Sequence, residues 1–142
     1  MPGIFQNPDR EQVVRLLREN NLPTEDLSEM DLSHFFACGE PQSIDGVIGL
    51  EVLGRHGLLR SLSVSSRCRK SGYGSALVGR LEEHARNAGL EALYLLTETA
   101  EAFFKAKSYV VVERDQAPGS IRETREFSDI CPASAMLMSK VL

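Results

Sequence analysis

The 142-residue chain has no tryptophan, aromatic residues make up 6% of it, and its cysteines number three. Cys38, Cys68 and Cys131 lie far apart, with no C-x-x-C and no histidine pair nearby. That excludes a disulfide scaffold and a zinc-ribbon framework, predicts no metal site, and fits reduced thiols of an intracellular protein. No apolar run approaches the roughly 18 residues needed to span a bilayer, and MPGIFQNPDR has no basic region followed by an apolar core. The expectation is a cytoplasmic protein without a membrane partner. A basic excess is missing too: 16 Lys and Arg stand against 20 Asp and Glu, a net charge of -4. A nucleic-acid surface normally needs surplus cations to displace counterions, so no nucleic-acid partner is expected. What is present is ordinary for a globular chain, 42% hydrophobic and 25% charged residues without repeats, at a length that suits one domain over 1–142.

The hydrophobic pattern changes period along the chain. Ile4 to Gln6 reads as a short edge strand. Asn7-Pro8 then supplies a cap and a first helical proline for a helix from Pro8 to Asn20, with Val13, Val14, Leu16 and Leu17 on its apolar face. A second, shorter helix is expected after Leu22-Pro23, capped by Thr24. Phe35 to Gly39, Val47 to Leu53 and Leu58 to Val64 are three runs joined by turn-like stretches, an antiparallel meander. Leu77, Leu81, Ala85 and Ala88 then form a helical stripe closed by Gly89. Leu93 to Leu96 suits a strand buried on both faces, Thr99 to Lys107 a short helix, and Tyr109 to Val112 and Ala135 to Leu142 the last strands. Between those two strands, the charged segment Asp115 to Pro132 is expected to be partly helical. The fold class is α/β with a mixed sheet.

The chemistry centres on SSRCRKSGYGSAL, Ser65 to Leu77, between a strand and a helix. Helix-opening amides lack partners and the helix dipole favours an anion there. Gly72 and Gly74 remove Cβ atoms from the approach, and Arg67, Arg69 and Lys70 add positive charge. A dinucleotide fingerprint would need glycine where Leu77 stands. A P-loop would need Lys-[Ser/Thr] after Gly79, where Arg80 and Leu81 stand. The remaining alternatives are a phosphate cradle of another kind and a solvated basic turn.

Val64, a four-residue turn, and then Arg69-Lys70-Ser71-Gly72-Tyr73-Gly74 opening a helix resemble the signature of the GNAT superfamily of N-acetyltransferases, a strand ending in valine followed by [QR]-x-x-G-x-[GA]. Ala100, Phe103, Phe104, Ser108 and Tyr109 echo the family's downstream A-x-x-φ-Y-x-x-x-G-[FY] imperfectly. LPTEDL, GVIGLEVLG, GLLRSLSV, LYLLTETAEAFF and IRETREFSDICPASA are similar to a narrower group, the arsenic-resistance N-acetyltransferases, a sister group of which acetylates amino-acid analogues bearing an arsinic or phosphinic group.

The resemblance implies a central, mostly antiparallel sheet with two splayed parallel strands and helices on both faces. Acetyl-CoA would be the co-substrate, lying between Leu58 to Val64 and Leu93 to Thr97. Its pantetheine would extend along Leu62, Ser63 and Val64, as in strand addition. Its pyrophosphate would rest on the amides of Lys70, Ser71, Gly72, Tyr73, Gly74 and Ser75, beside Arg69. An amine of a small molecule would attack directly, with the Val64 region supplying an oxyanion amide. Phe104 occupies the position of the family's usual general-acid tyrosine, and Thr97 that of an asparagine contacting pantetheine. Glu51 is a candidate base through water, or a salt-bridged strand glutamate. Arg60 is a candidate grip on a substrate carboxylate or arsinate, or a surface arginine. His34, His56 and His84 are given no role, and the cysteines are too scattered to make trivalent arsenic a strong ligand. Dimers are common in the superfamily, so a homodimer is carried as an expectation, with the 115–132 segment as interface or lid. The reading from another class is a non-catalytic acyl-CoA-binding or arsenical-sensing protein.

Overall fold

The computed structural model describes residues 3–130 and 134–142; Cys131 and Pro132 lie outside them. Seven strands form one sheet in the order β1-β2-β3-β4-β5-β7-β6: Ile4–Gln6, Phe36–Glu40, Ser43–Leu53, His56–Val64, Ala92–Thr97, Val110–Val112 (β6) and Met136–Val141 (β7). Every neighbouring pair is antiparallel except β4 with β5. The expected mixed α/β architecture, mostly antiparallel with one parallel pair, is what the chain forms.

Helices α1 (Arg10–Glu19) and α2 (Tyr73–Asn87) cover opposite faces of the sheet. Strand alternation sorts the core between them. Val13, Leu16 and Leu17 of α1 pack with Phe35, Ala37 and Val47, while Leu77, Leu81 and Ala85 of α2 pack with Phe36, Ile48, Leu50, Leu93 and Leu95. Gly89, at φ 83°, closes α2 as its position predicts, and the Leu90 N–H reaches the Ala85 carbonyl at 3.0 Å. Leu93 and Leu95 are fully buried on the α2 side, whereas Tyr94 and Leu96 on the other side are half-buried.

Several expected boundaries move for identifiable reasons. The cap of α1 is Asp9, whose side chain accepts from the Gln12 N–H at 3.3 Å; Asn7 sits at φ 60° and donates its N–H to Phe35, prolonging the pairing of β1. No α-helix follows Leu22-Pro23. Two 3-10 turns, Leu27–Glu29 and Leu32–His34, stand there, and Asp26 spends its carboxylate on Arg60 instead of a cap. The helix expected over 99–107 shortens to α3, Glu101–Lys105, and β3 begins earlier, at Ser43. In the 115–132 segment, α4 (Gly119–Arg122), through Ile121, and a π-type turn Glu126–Ile130, through Phe127, pack with Ala117 on the α1 side of the sheet against Leu58 and Leu137. Among the described residues, no helix is long and apolar enough to cross a membrane.

Candidate active site

Strands β4 and β5 pair only at His56–Ala92, Gly57–Leu93 and Leu58–Tyr94, then part company. The cause lies within β4. Its register to β3 shifts between Val47–Ser63 and Gly49–Arg60, two residues of β4 (Ser61 and Leu62) opposing one of β3 (Ile48), and Ser61 there adopts φ 58°. That is a β-bulge, which bends the strand that carries it. From Leu59 onward β4 therefore leaves its β5 edge without a strand partner. The Ser65 N–H bonds the Asp45 carbonyl at 2.7 Å and so faces β3. Alternation turns Leu62 and Val64 the other way, toward the opening. The opening is a cavity of about 410 Å³ whose walls include Leu59 to Leu62, Leu95 to Ala100 and Phe104.

The turn after β4 leads to α2. Gly72, at φ 88°, precedes the helix and provides no side-chain cap, so the amides of Tyr73, Gly74 and Ser75 open the helix without one. A left-handed residue at this point is cheap only for glycine. Arg69 does more than add charge: it donates to the Val64 carbonyl at 3.4 Å and to the Asn20 side chain, and Asn20 in turn donates to the Ser63 hydroxyl and, at 3.2 Å, to Val64. This brace ties the end of α1 to the end of β4. Asn20 escaped the sequence reading because its partners lie more than forty residues away.

Of the residues expected to contact the cofactor, Leu62, Thr97 and Phe104 line the cavity, whereas Ser63, Val64, Arg69, Lys70, Ser71, Gly72, Tyr73, Gly74 and Ser75 follow it along the exit from β4. The Thr97 hydroxyl accepts from the Ala100 N–H at 3.0 Å and holds the turn into α3. Phe104 is 4% exposed and packs edge-on against Tyr109. Tyr109 is no substitute acid, because it is buried away from the cavity with its hydroxyl on Glu82 at 2.8 Å; burial, then Glu82, raises it well above a normal phenol.

Arg60 is neither a surface arginine nor a free grip. Its side chain has no exposed surface: Nη2 donates to Asp26 at 2.9 Å, Nη1 donates to Asp26 at 2.5 Å and to Glu51 at 3.0 Å, and Glu126 lies 3.6 Å from Nε. Burial works against its charge, but the Asp26 hydrogen bond and the three carboxylates outweigh it and hold the guanidinium protonated. That leaves no face for a substrate carboxylate or arsinate. Glu51 is the salt-bridged strand glutamate of the two alternatives, and it does not line the cavity. The carboxylate that does so beside Arg60 is Glu126, brought there by the π-type turn. Of the thiols, Cys38 is buried and pushed up to about 11, chiefly by burial, so it is a neutral thiol at physiological pH.

Comparison with known proteins agrees with this geometry. The Acetyltransferase (GNAT) family matches residues 4–109. No curated protein matches the chain. Rv2747 from Mycobacterium tuberculosis, solved in complex with CoA and NLQ, shares the fold at a TM-score of 0.80 and 20% identity over 99% of both chains. A GNAT acetyltransferase from Staphylococcus aureus gives 0.80 at 17% identity over 100% of this chain and 99% of its own. N-acetylglutamate synthase from Neisseria gonorrhoeae, complexed with coenzyme A and N-acetyl-glutamate, gives 0.81 at 18% identity, but this chain spans only 35% of that one. At such identities the solved structures establish the likeness of fold, and the family match does the rest. The chain belongs to the GNAT family of acetyltransferases.

Proposed function

We propose that the protein transfers the acetyl group of acetyl-CoA to the primary amine of a small molecule. The observation that carries this reading is the split between β4 and β5, with Leu62 and Val64 facing it and an uncapped helix N-terminus at its exit. An extended pantetheine finds main-chain partners along such an edge, and a pyrophosphate finds amides and Arg69 at the start of α2. Two of these fold relatives are solved with coenzyme A, which supports the same ligand here.

Little acid–base machinery is needed on the leaving side. A thiol of pKa about 8.5 departs as thiolate without a strong acid, so Phe104 is tolerable where a tyrosine is usual. The Val64 amide is suited to the developing oxyanion. The narrower arsenic-resistance resemblance would make the acceptor an amino-acid-like or arsenical toxicant. Such a molecule brings an anion, and among the described residues the one cation lining the cavity is the enclosed Arg60.

Calorimetric titration with acetyl-CoA, followed by free-thiol release against a panel of amines, tests the reading. Binding together with amine-dependent thiol release is the expected result. Binding without turnover on any amine favours a non-catalytic acyl-CoA-binding or arsenical-sensing role, and absence of binding overturns both. Adding an amino-acid arsinate to the panel tests the toxicant class directly.

A further inference from the structure

The carboxylates at the cavity differ in what they are tied to. Asp26 and Glu51 take the hydrogen bonds of Arg60. Glu126 has a side chain only 8% exposed and its closest Arg60 nitrogen is at 3.6 Å, beyond hydrogen-bond length. Its carboxylate accepts no hydrogen bond among the described residues, yet it lines the cavity. No fully buried side-chain oxygen among the described residues is left without a partner, so the Glu126 carboxylate meets solvent through the cavity, where a ligand's donor can take the place of water. The charges facing it are Arg60 from β4, Glu51 from β3 and Asp26 from the segment before the first 3-10 turn; with all four ionised the cluster carries +1 − 3 = −2. Glu98, on the far wall, adds a further acid. Burial, with help from Glu51 and Asp26 and against the pull of Arg60, pushes the Glu126 carboxyl up to about 7, a value suited to taking a proton near neutral pH.

We propose that Glu126 docks and deprotonates the acceptor, and that the acceptor is a cationic primary amine with no anionic group beside its nitrogen. The inference rests on the acetyltransferase reading of the cavity. The ammonium donates to the Glu126 carboxylate in place of solvent, and its charge offsets the negative cluster. One proton passes from the ammonium to the Glu126 carboxylate. The freed nitrogen lone pair forms the N–C bond at the thioester carbonyl. The C–S bond breaks with its electron pair remaining on sulfur, and the second nitrogen proton goes to that thiolate. The third stays on the product amide, and Glu126 returns its proton to solvent. A carboxylate or arsinate next to the amine would face Glu126, Glu98 and the excess charge behind Arg60. Glu51 then acts as a positioning residue, holding Arg60.

The probes are n-pentylamine and L-norleucine, which differ by an α-carboxylate. Thiol release from acetyl-CoA should favour pentylamine at least tenfold in kcat/KM. Glu126→Gln should lower that value at least a hundredfold, abolish its rise between pH 6 and 8, and bring the two probes within threefold of each other. Independently of turnover, pentylamine should bind the CoA-saturated protein at least tenfold more tightly at pH 8 than at pH 6, and the variant should lose this dependence. An equal or better rate with norleucine, or a variant with wild-type rate and preference, overturns the proposal while leaving the transferase reading intact. Glu126-dependent amine binding without transfer to any amine sinks the transferase reading and keeps the site. Should the variant not fold, the pH dependence of pentylamine binding to the wild type still decides, and a flat dependence overturns the proposal.

Discussion

Phe104 shows how one atom separates this site from the pattern it resembles. The ring fills the cavity floor, wedged between Phe103 and Tyr109 with no hydroxyl to offer. If departure of the thiolate is as undemanding as its pKa implies, Phe104→Tyr should leave kcat within about twofold of wild type; a tenfold rise in thiol release would show that protonation of sulfur limits the rate. The same residue marks what the sequence makes legible. Its place at the site follows from the resemblance of the stretch Ala100 to Tyr109 to the family's downstream motif. Glu126, in contrast, reads in IRETREF as one more solvated charge. Its character comes from burial and from a contact with Arg60, 66 positions away (126 − 60), which no local pattern encodes.

At the level of elements, the bulge in β4 is the device that opens the site, and it depends on what lies opposite. Gly49 pairs with Arg60 at the register shift, and a Cβ there would come within 2.4 Å of the buried Phe35 ring. Gly49→Ala should therefore cost about 1–3 kcal/mol in unfolding free energy, the usual penalty of overpacking, measured as a lower urea midpoint at constant slope. An unchanged midpoint would mean that the Phe35 ring can move aside. The amphipathic stripe of α2 and the meander are legible because each obeys one strong period. The region after Leu22 is not, because a helix capped by Thr24, with Asp26 in its first turn, competes with the use of Asp26 as an arginine partner. The tertiary use wins: two bonds to a fully enclosed guanidinium outweigh one exposed helical cap.

For the molecule as a whole, the acidic cluster has a price in stability that depends on pH. The folded Glu126 value near 7 lies above its ordinary 4.5, so between those values the folded protein holds a proton that the unfolded chain has already released. Stability from this group is therefore undiminished below about pH 4.5 and declines as pH rises toward 7, a total of about 3 kcal/mol. Glu126→Gln keeps the neutral shape at every pH, and should melt higher than wild type at pH 8 and alike at pH 4.5. Thermal melts that differ equally at both pH values would show that the carboxylate is not the source of the penalty. A residue that destabilises the fold while equipping its cavity fits the common trade between stability and activity.

The shortness of the β4–β5 pairing carries a broader consequence. Three residue pairs join a ribbon of four strands, β1-β2-β3-β4, to a ribbon of three, β5-β7-β6, and every other ladder lies within one ribbon or the other. A chain cut in the turn at 88–91 would interrupt no antiparallel ladder. The cleft is thus a boundary between two self-paired pieces, which meet otherwise through the core that Leu50 and Leu59 share with Leu93, Leu95 and Met138. A substitution that tilts one ribbon against the other is expected to change the width of the cleft without touching a residue that lines it.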